Sequence, residues 1–167
     1  MDTPQDIYSP PEFFDREERY RILDVLGTGN FGVVYRVYDK QWSEQVALKT
    51  TRENTPEQTQ WLKEEYRIQN DIVHPVLGPP DELRTEGGRS FFTMKLVEAA
   101  VPFNRYFNFA GQLSGSKKPI SIEGFCSAAL ELTEALQTIH SHNRCHGDIK
   151  PENVLVTDNG HVALLDF

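Results

Sequence analysis

The stretch His146-Gly147-Asp148-Ile149-Lys150-Pro151-Glu152-Asn153 is the most specific in the chain: a carboxylate, an ammonium two positions on, and then a carboxamide. It follows a long amphipathic pattern and precedes the apolar run Val154-Leu155-Val156, so it reads as a loop between a helix and a strand. Those side chains suit orienting a hydroxyl, neutralising a transferring phosphoryl group and binding magnesium. A second hard oxygen donor, Asp166, follows in Leu164-Leu165-Asp166-Phe167, after an Asn159-Gly160 hairpin signal.

Upstream, residues 121 to 142 carry Ile122, Phe125, Ala129, Leu132, Leu136 and Ile139 on one helical stripe, with Glu123, Ser127, Glu131, Glu134 and Thr138 opposite. The stretch past Val97, with Asn108 to Pro119 at its centre, is loop-rich. Earlier still, the strand-like run 20–26 leads into Gly27-Thr28-Gly29-Asn30-Phe31-Gly32 and then a β-branched and aromatic run to Tyr38. That is a hairpin with a glycine-rich turn, where backbone N–H groups can approach phosphate oxygens. A dinucleotide site would need a helix after the glycines, and a strand follows instead.

The next strand, residues 45–50, puts Ala47 and Lys49 on one face. Taken alone, Lys49 reads as a solvated surface lysine. The helix after it alters that reading. Thr55 is its N-cap, Pro56 its first residue and Glu57 suits its positive end, and it runs to about Asp71. Glu65 points into the apolar stripe of Trp61, Leu62, Ile68 and Ile72, with Glu64 at its edge. A carboxylate in that stripe calls for a cationic partner, and Lys49 on the neighbouring strand supplies one. Residues 81–85 and 90–97, joined across Glu86-Gly87-Gly88-Arg89, form a further hairpin, making five strands and one helix. The class is α+β.

With 17 Lys and Arg against 25 Asp and Glu, the net charge is −8, the wrong sign for a phosphate-backbone binder, so nucleic acid is not expected as a partner. Cys126 and Cys145 match no metal or disulfide pattern, and no stretch is apolar enough to span a bilayer. The reading is a cytoplasmic chain with free thiols. Residues 1–18 read as a flexible leader, 19–97 as a first segment and 98–167 as a second.

These motifs, in this order, resemble the protein kinase family: a Gly-rich loop, a V-A-I-K lysine, an H-R-D loop and D-F-G. The resemblance covers residues from about Tyr20 to Phe167. It implies an N-lobe of five antiparallel strands and one helix, followed by the beginning of a mainly helical C-lobe, with ATP and Mg²⁺ as cofactors. It places Gly27, Gly29 and Gly32 over the phosphates, Lys49 on the α- and β-phosphates, and Glu65 on Lys49. Leu26, Val34, Ala47 and Leu155 become the walls around adenine, Met94 the gatekeeper and Lys95 to Val97 the hinge. Asp148 is implied to take the substrate hydroxyl proton, Lys150 to meet the γ-phosphate, and Asn153 and Asp166 to bind magnesium. Lys150 within Asp-Ile-Lys-Pro-Glu-Asn points to the Ser/Thr branch with a protein substrate, and Phe91 to Glu98 resembles large bacterial members.

Three departures qualify the transfer. Gly147 stands where the family has arginine, so no dependence on a phosphate in the activation loop is expected. Gln69 stands at a usually apolar spine position. The sequence stops at Phe167, before the D-F-G glycine, so the chain by itself is expected to be inactive, with the apolar stripe of residues 121–142 short of partners. Two other readings stay open: a small-molecule kinase of the aminoglycoside or choline type, and a non-catalytic nucleotide-binding scaffold. Oligomeric state is not legible.

Overall fold

The structure, a computed structural model, describes residues 19–29, 32–107 and 121–166; the leader (1–18), Asn30 and Phe31, residues 108–120 and Phe167 lie outside them. The chain divides into two compact units, one running to Arg67 and including Pro80–Leu96, the other comprising Ile68–Pro79 and everything from Val97.

The first unit is a five-stranded antiparallel sheet in the order β1-β2-β3-β5-β4, formed by β1 (Tyr20–Thr28), β2 (Gly32–Asp39), β3 (Glu44–Thr51), β4 (Pro80–Glu86) and β5 (Arg89–Lys95). Strict alternation of buried and part-buried residues along β2 follows from the pleat, which sends Val33, Tyr35 and Val37 into one core with Tyr20, Val46, Leu48 and Phe91. The Tyr20 and Phe91 rings meet edge-on at 5.7 Å. Asp39, 2% exposed, survives burial because Arg19 forks onto it at 2.8 and 3.1 Å and the Gln41 N–H donates at 2.8 Å. Burial alone would raise the Asp39 carboxyl; the Arg19 and backbone hydrogen bonds more than offset it and hold it below the ordinary range.

The β4–β5 turn needs left-handed backbone at two successive residues, and Gly87 (φ 55°) and Gly88 (φ 80°) supply it, as the Glu-Gly-Gly-Arg reading requires. Helix α1 (Pro56–Asp71) starts as expected: the Thr55 hydroxyl accepts the Gln58 N–H at 3.2 Å. Gln58 in turn accepts the Glu53 N–H at 2.9 Å, a second tie at this end that the sequence reading did not include.

The second unit contains a three-stranded sheet of β6 (Ala100–Pro102), β7 (Val154–Thr157) and β8 (Val162–Leu164), with short α2 (Phe103–Tyr106) and long α3 (Ile122–Ser141). Strand β6 and helix α2 were not legible, since three residues ending in proline carry no periodicity. Phe103, Phe107 and Phe125 hold them against α3, with ring centroids 4.8 to 5.7 Å apart. The Ser121 hydroxyl caps α3 by accepting the Gly124 N–H at 3.2 Å.

The buried side of α3 differs from the expected stripe. Ala128, Ala135 and Ile139 are fully buried, with Phe125, Leu132 and Leu136 packed beside them, whereas Ile122 is 73% exposed. Two alanines on the contact line leave room for the sheet, which rotates the stripe toward them. Glu131 is part of that contact: its carboxylate accepts the Val162 N–H at 2.9 Å and meets His161 Nδ1 at 3.0 Å. Burial raises the Glu131 carboxyl, but these bonds outweigh burial and leave it lowered.

Two truncations contrast core and surface. Phe91→Ala, at a fully buried site, is expected to cost about 3–5 kcal/mol, and Leu130→Ala, 60% exposed, less than about 0.5 kcal/mol, both read from urea unfolding.

Candidate active site

In the sheet unit, β3 pairs Val34 with Lys49 on one side, and Lys49 with Phe92 and Ala47 with Met94 on the other. Val34, Ala47 and Lys49 therefore stand on the face opposite the Val33-Tyr35-Val37 core, where Tyr66 of α1 meets Phe92 at 5.7 Å. On that face Lys49 Nζ donates to Glu65 Oε1 at 2.5 Å, with the side chains only 14% and 25% exposed. Glu64 is exposed, so the two adjacent carboxylates have different surroundings. A half-buried, charge-assisted pair fixes both long side chains far better than a surface pair does. Leu26 is 41% exposed, and Lys95 is exposed as well.

The three glycines differ in what they do. A Cβ on Gly32 would lie 2.8 Å from the Thr50 carbonyl oxygen, so the β2–β3 pairing itself demands glycine there. Among the described residues, a Cβ on Gly27 would meet nothing within 4 Å, and one on Gly29 only the Gly32 carbonyl at 4.0 Å. The Gly29 N–H donates to the Gly32 carbonyl at 2.9 Å.

In the second unit the loop 146–153 is organised by a histidine to which the sequence reading assigned no role. His146, 9% exposed, contacts the Leu165 carbonyl through Nε2 at 2.9 Å and accepts the Asp148 N–H through Nδ1 at 3.3 Å. Only the neutral ring with its proton on Nε2 makes both bonds, and burial accordingly lowers its pKa. The Leu165 N–H donates to the Asn153 carbonyl at 2.9 Å, which tethers the residue before Asp166 to the loop. Asp166 itself has φ 58°.

Asp148, Lys150 and Asn153 come together. Lys150 Nζ lies 2.6 Å from Asp148 Oδ2, and Asn153 Nδ2 donates to the Asp148 carbonyl at 2.9 Å and to its Oδ2 at 3.0 Å. The Lys150 hydrogen bond, aided by Asn153, lowers the Asp148 carboxyl, and Lys150 is raised by the same bond. Both side chains are about half exposed. Asn153 is 5% exposed and spends its N–H groups on Asp148, which leaves the amide oxygen as its remaining polar atom. That oxygen and the Asp166 carboxylate are hard donors of the kind magnesium takes, few enough for the ion to keep water and phosphate oxygens. Leu155, in β7, is part-buried, as is Val97.

Gly147 has φ 81°, and a Cβ there would meet nothing within 4 Å. Gln69 is 4% exposed, so a polar residue fills a buried position.

Gly32→Ala is expected to destabilise the sheet unit by about 1–3 kcal/mol through overpacking, while Gly27→Ala stays within about 1 kcal/mol of wild type, both measured by urea unfolding. At Gly147 the cost of alanine is conformational, about 1–2 kcal/mol. His146 adds a pH dependence. Its folded pKa lies below the ordinary 6.5, so its contribution is whole above that pH and is lost as pH falls below it. Denaturation midpoints between pH 7.5 and 5 are therefore expected to fall less steeply in His146→Gln than in wild type.

Comparison with known proteins identifies the family. Residues 20–167 match the protein kinase domain model. Relatives include the DNA damage-responsive serine/threonine-protein kinase RqkA of Deinococcus radiodurans, 35% identical over 89% of this chain and 22% of its own length. The serine/threonine-protein kinases PknD of Chlamydia pneumoniae and Chlamydia muridarum are 30% and 27% identical, each over 90% of this chain and 17% of their own length. The chain thus spans about a fifth of the relatives it matches. With the domain model covering nearly all of it and Ser/Thr kinases of bacteria as its relatives, the chain belongs to the protein kinase family, a family of transferases.

Proposed function

We propose that the protein to which this chain belongs moves the γ-phosphoryl group of ATP to serine and threonine hydroxyls of proteins, with Mg²⁺ as metal cofactor. The observation that carries this reading is the Asp148 carboxylate held by both Lys150 and Asn153. An acceptor carboxylate kept ionised beside an ammonium is the pair that a hydroxyl nucleophile and a phosphoryl group require.

In this reading, residues 19–97 hold the nucleotide. Lys49, aimed by Glu65, binds the α- and β-phosphate oxygens, and backbone N–H groups of the turn with Gly27, Gly29 and Gly32 cover the phosphates. Leu26, Val34 and Ala47 meet the adenine from the sheet unit, with Met94 behind it and the backbone from Lys95 onward at its edge. From residue 98 on, the chain supplies the chemistry. Asp148 orients the attacking hydroxyl and takes its proton as the new O–P bond forms and the β–γ bridge breaks; Lys150 offsets charge on the transferred group. Asn153 and Asp166 hold magnesium, which when bound neutralises phosphate charge. An acidic chain with no described helix long and apolar enough to cross a membrane suits a protein substrate in the cytoplasm.

Calorimetric titration of the chain with ATP is expected to show binding that Mg²⁺ strengthens and that Lys49→Met weakens by about tenfold or more. In the whole protein, Asp148→Asn should leave ATP affinity unchanged and cut transfer of labelled phosphate to a generic acceptor protein by about 10²–10⁴. Transfer by the Asp148→Asn protein near the wild-type rate would overturn the assignment. Magnesium-dependent binding with no transfer by the wild-type whole protein would make it a scaffold, and transfer only to small hydroxylated or amino compounds would make it a small-molecule kinase.

A further inference from the structure

A second polar recess lies in the sheet unit, away from the Lys49 face. It is a cavity of about 680 Å³ at the β2–β3 turn and the start of β4, and its walls include Arg19, Trp42, Glu44, Asp81, Glu82 and Arg84. The two arginines are already committed: Arg19 forks onto Asp39 and reaches Glu82 at 2.9 Å, and Arg84 reaches Glu86 at 2.9 Å. Glu44 and Asp81, in contrast, pair with no cation among the described residues. Partial burial, and then the charge of Glu44, raises the Asp81 carboxyl, so the pair repel each other across the recess.

The third component is aromatic. Trp42 is 66% exposed on the cavity wall, on a turn held in shape by the Gln41 and Trp42 N–H groups on Asp39 Oδ1 and by left-handed Ser43 (φ 57°). An indole face beside two carboxylates with no counter-ion among the described residues is complementary to a flat cation, which the ring attracts through its quadrupole and the carboxylates through forked hydrogen bonds. A phosphate or nucleic acid would be repelled by the Glu44 and Asp81 carboxylates, and an apolar partner would bury them without compensation. A lysine ammonium could answer the charge but not stack as a guanidinium does.

We propose that this recess is a docking site for an arginine side chain of a basic protein segment, stacked on Trp42 and held by Glu44 and Asp81. The site is separate from the phosphoryl-transfer residues, so it stands whether or not that reading does.

The test is a titration of the ¹⁵N-labelled chain with acetyl-Gly-Arg-Arg-Gly-amide, following the two indole N–H signals of Trp42 and Trp61. The Trp42 signal is expected to shift saturably while that of Trp61 stays in place. The citrulline analogue, which keeps the shape and loses the charge, should not bind, and the lysine analogue should bind more weakly. Glu44→Gln with Asp81→Asn should weaken the arginine peptide by about tenfold or more. Trp42→Ala, read from perturbed backbone signals of residues 41–46, should weaken it as well and guards against a fold defect in the double variant. An unmoved Trp42 signal, equal response to citrulline, or unchanged affinity in both variants would overturn the proposal. So would a Trp42 shift on concentrating the chain alone, which would give the recess to a second copy.

Discussion

A single neutral imidazole holds the second unit's chemistry in register. His146 accepts a backbone N–H from Asp148 on one side and contacts the Leu165 carbonyl, 19 residues along the chain, on the other. Neither bond alone would fix the loop. Together with the Leu165 N–H on the Asn153 carbonyl, they close a ring of hydrogen bonds through which Asp148, Asn153 and the residue before Asp166 share one frame. Such a ring is stronger in a partly dry interior than in water, and a proton on His146 Nδ1 removes the acceptor that the Asp148 N–H uses.

The sheet unit depends on its own, different device. There the position of Lys49 is set by strand pairing and that of Glu65 by the helix pitch, and the ion pair joins two elements whose backbone hydrogen bonds are separate. Each unit thus organises its charged groups internally, and the boundary between the units falls inside α1, between Arg67 and Ile68.

What was legible in the sequence was whatever is encoded by residue type at short range. Thr55 before Pro56, paired glycines at 87 and 88, and an acid, a base and an amide in one loop each have a local physical cause, and each appears in the structure. What was not legible depends on partners distant in sequence. Strand β6 exists because β7 offers it an edge, not because Ala100-Val101-Pro102 prefers extension. Glu131 looked like a solvated acid on a helix until the free N–H of Val162 was placed against it. The contact line of α3 follows the small residues Ala128 and Ala135, since closeness of approach, rather than hydrophobicity, decides which side faces a sheet. His146 escaped notice for the same reason: its second partner is a carbonyl, which any residue at position 165 would supply.

The backbone at Gly147 bears on how such a loop can evolve. With φ at 81° and empty space where a side chain would project, the barrier to a larger residue is a modest backbone cost and not a collision. Glycine and arginine are one nucleotide change apart for every glycine codon. A lineage carrying this loop is therefore a single mutation from placing a guanidinium beside Asp148, and with it a means of tying the loop to a negatively charged group elsewhere. At the Cβ, the described surroundings oppose such a change through backbone conformation and not through a collision.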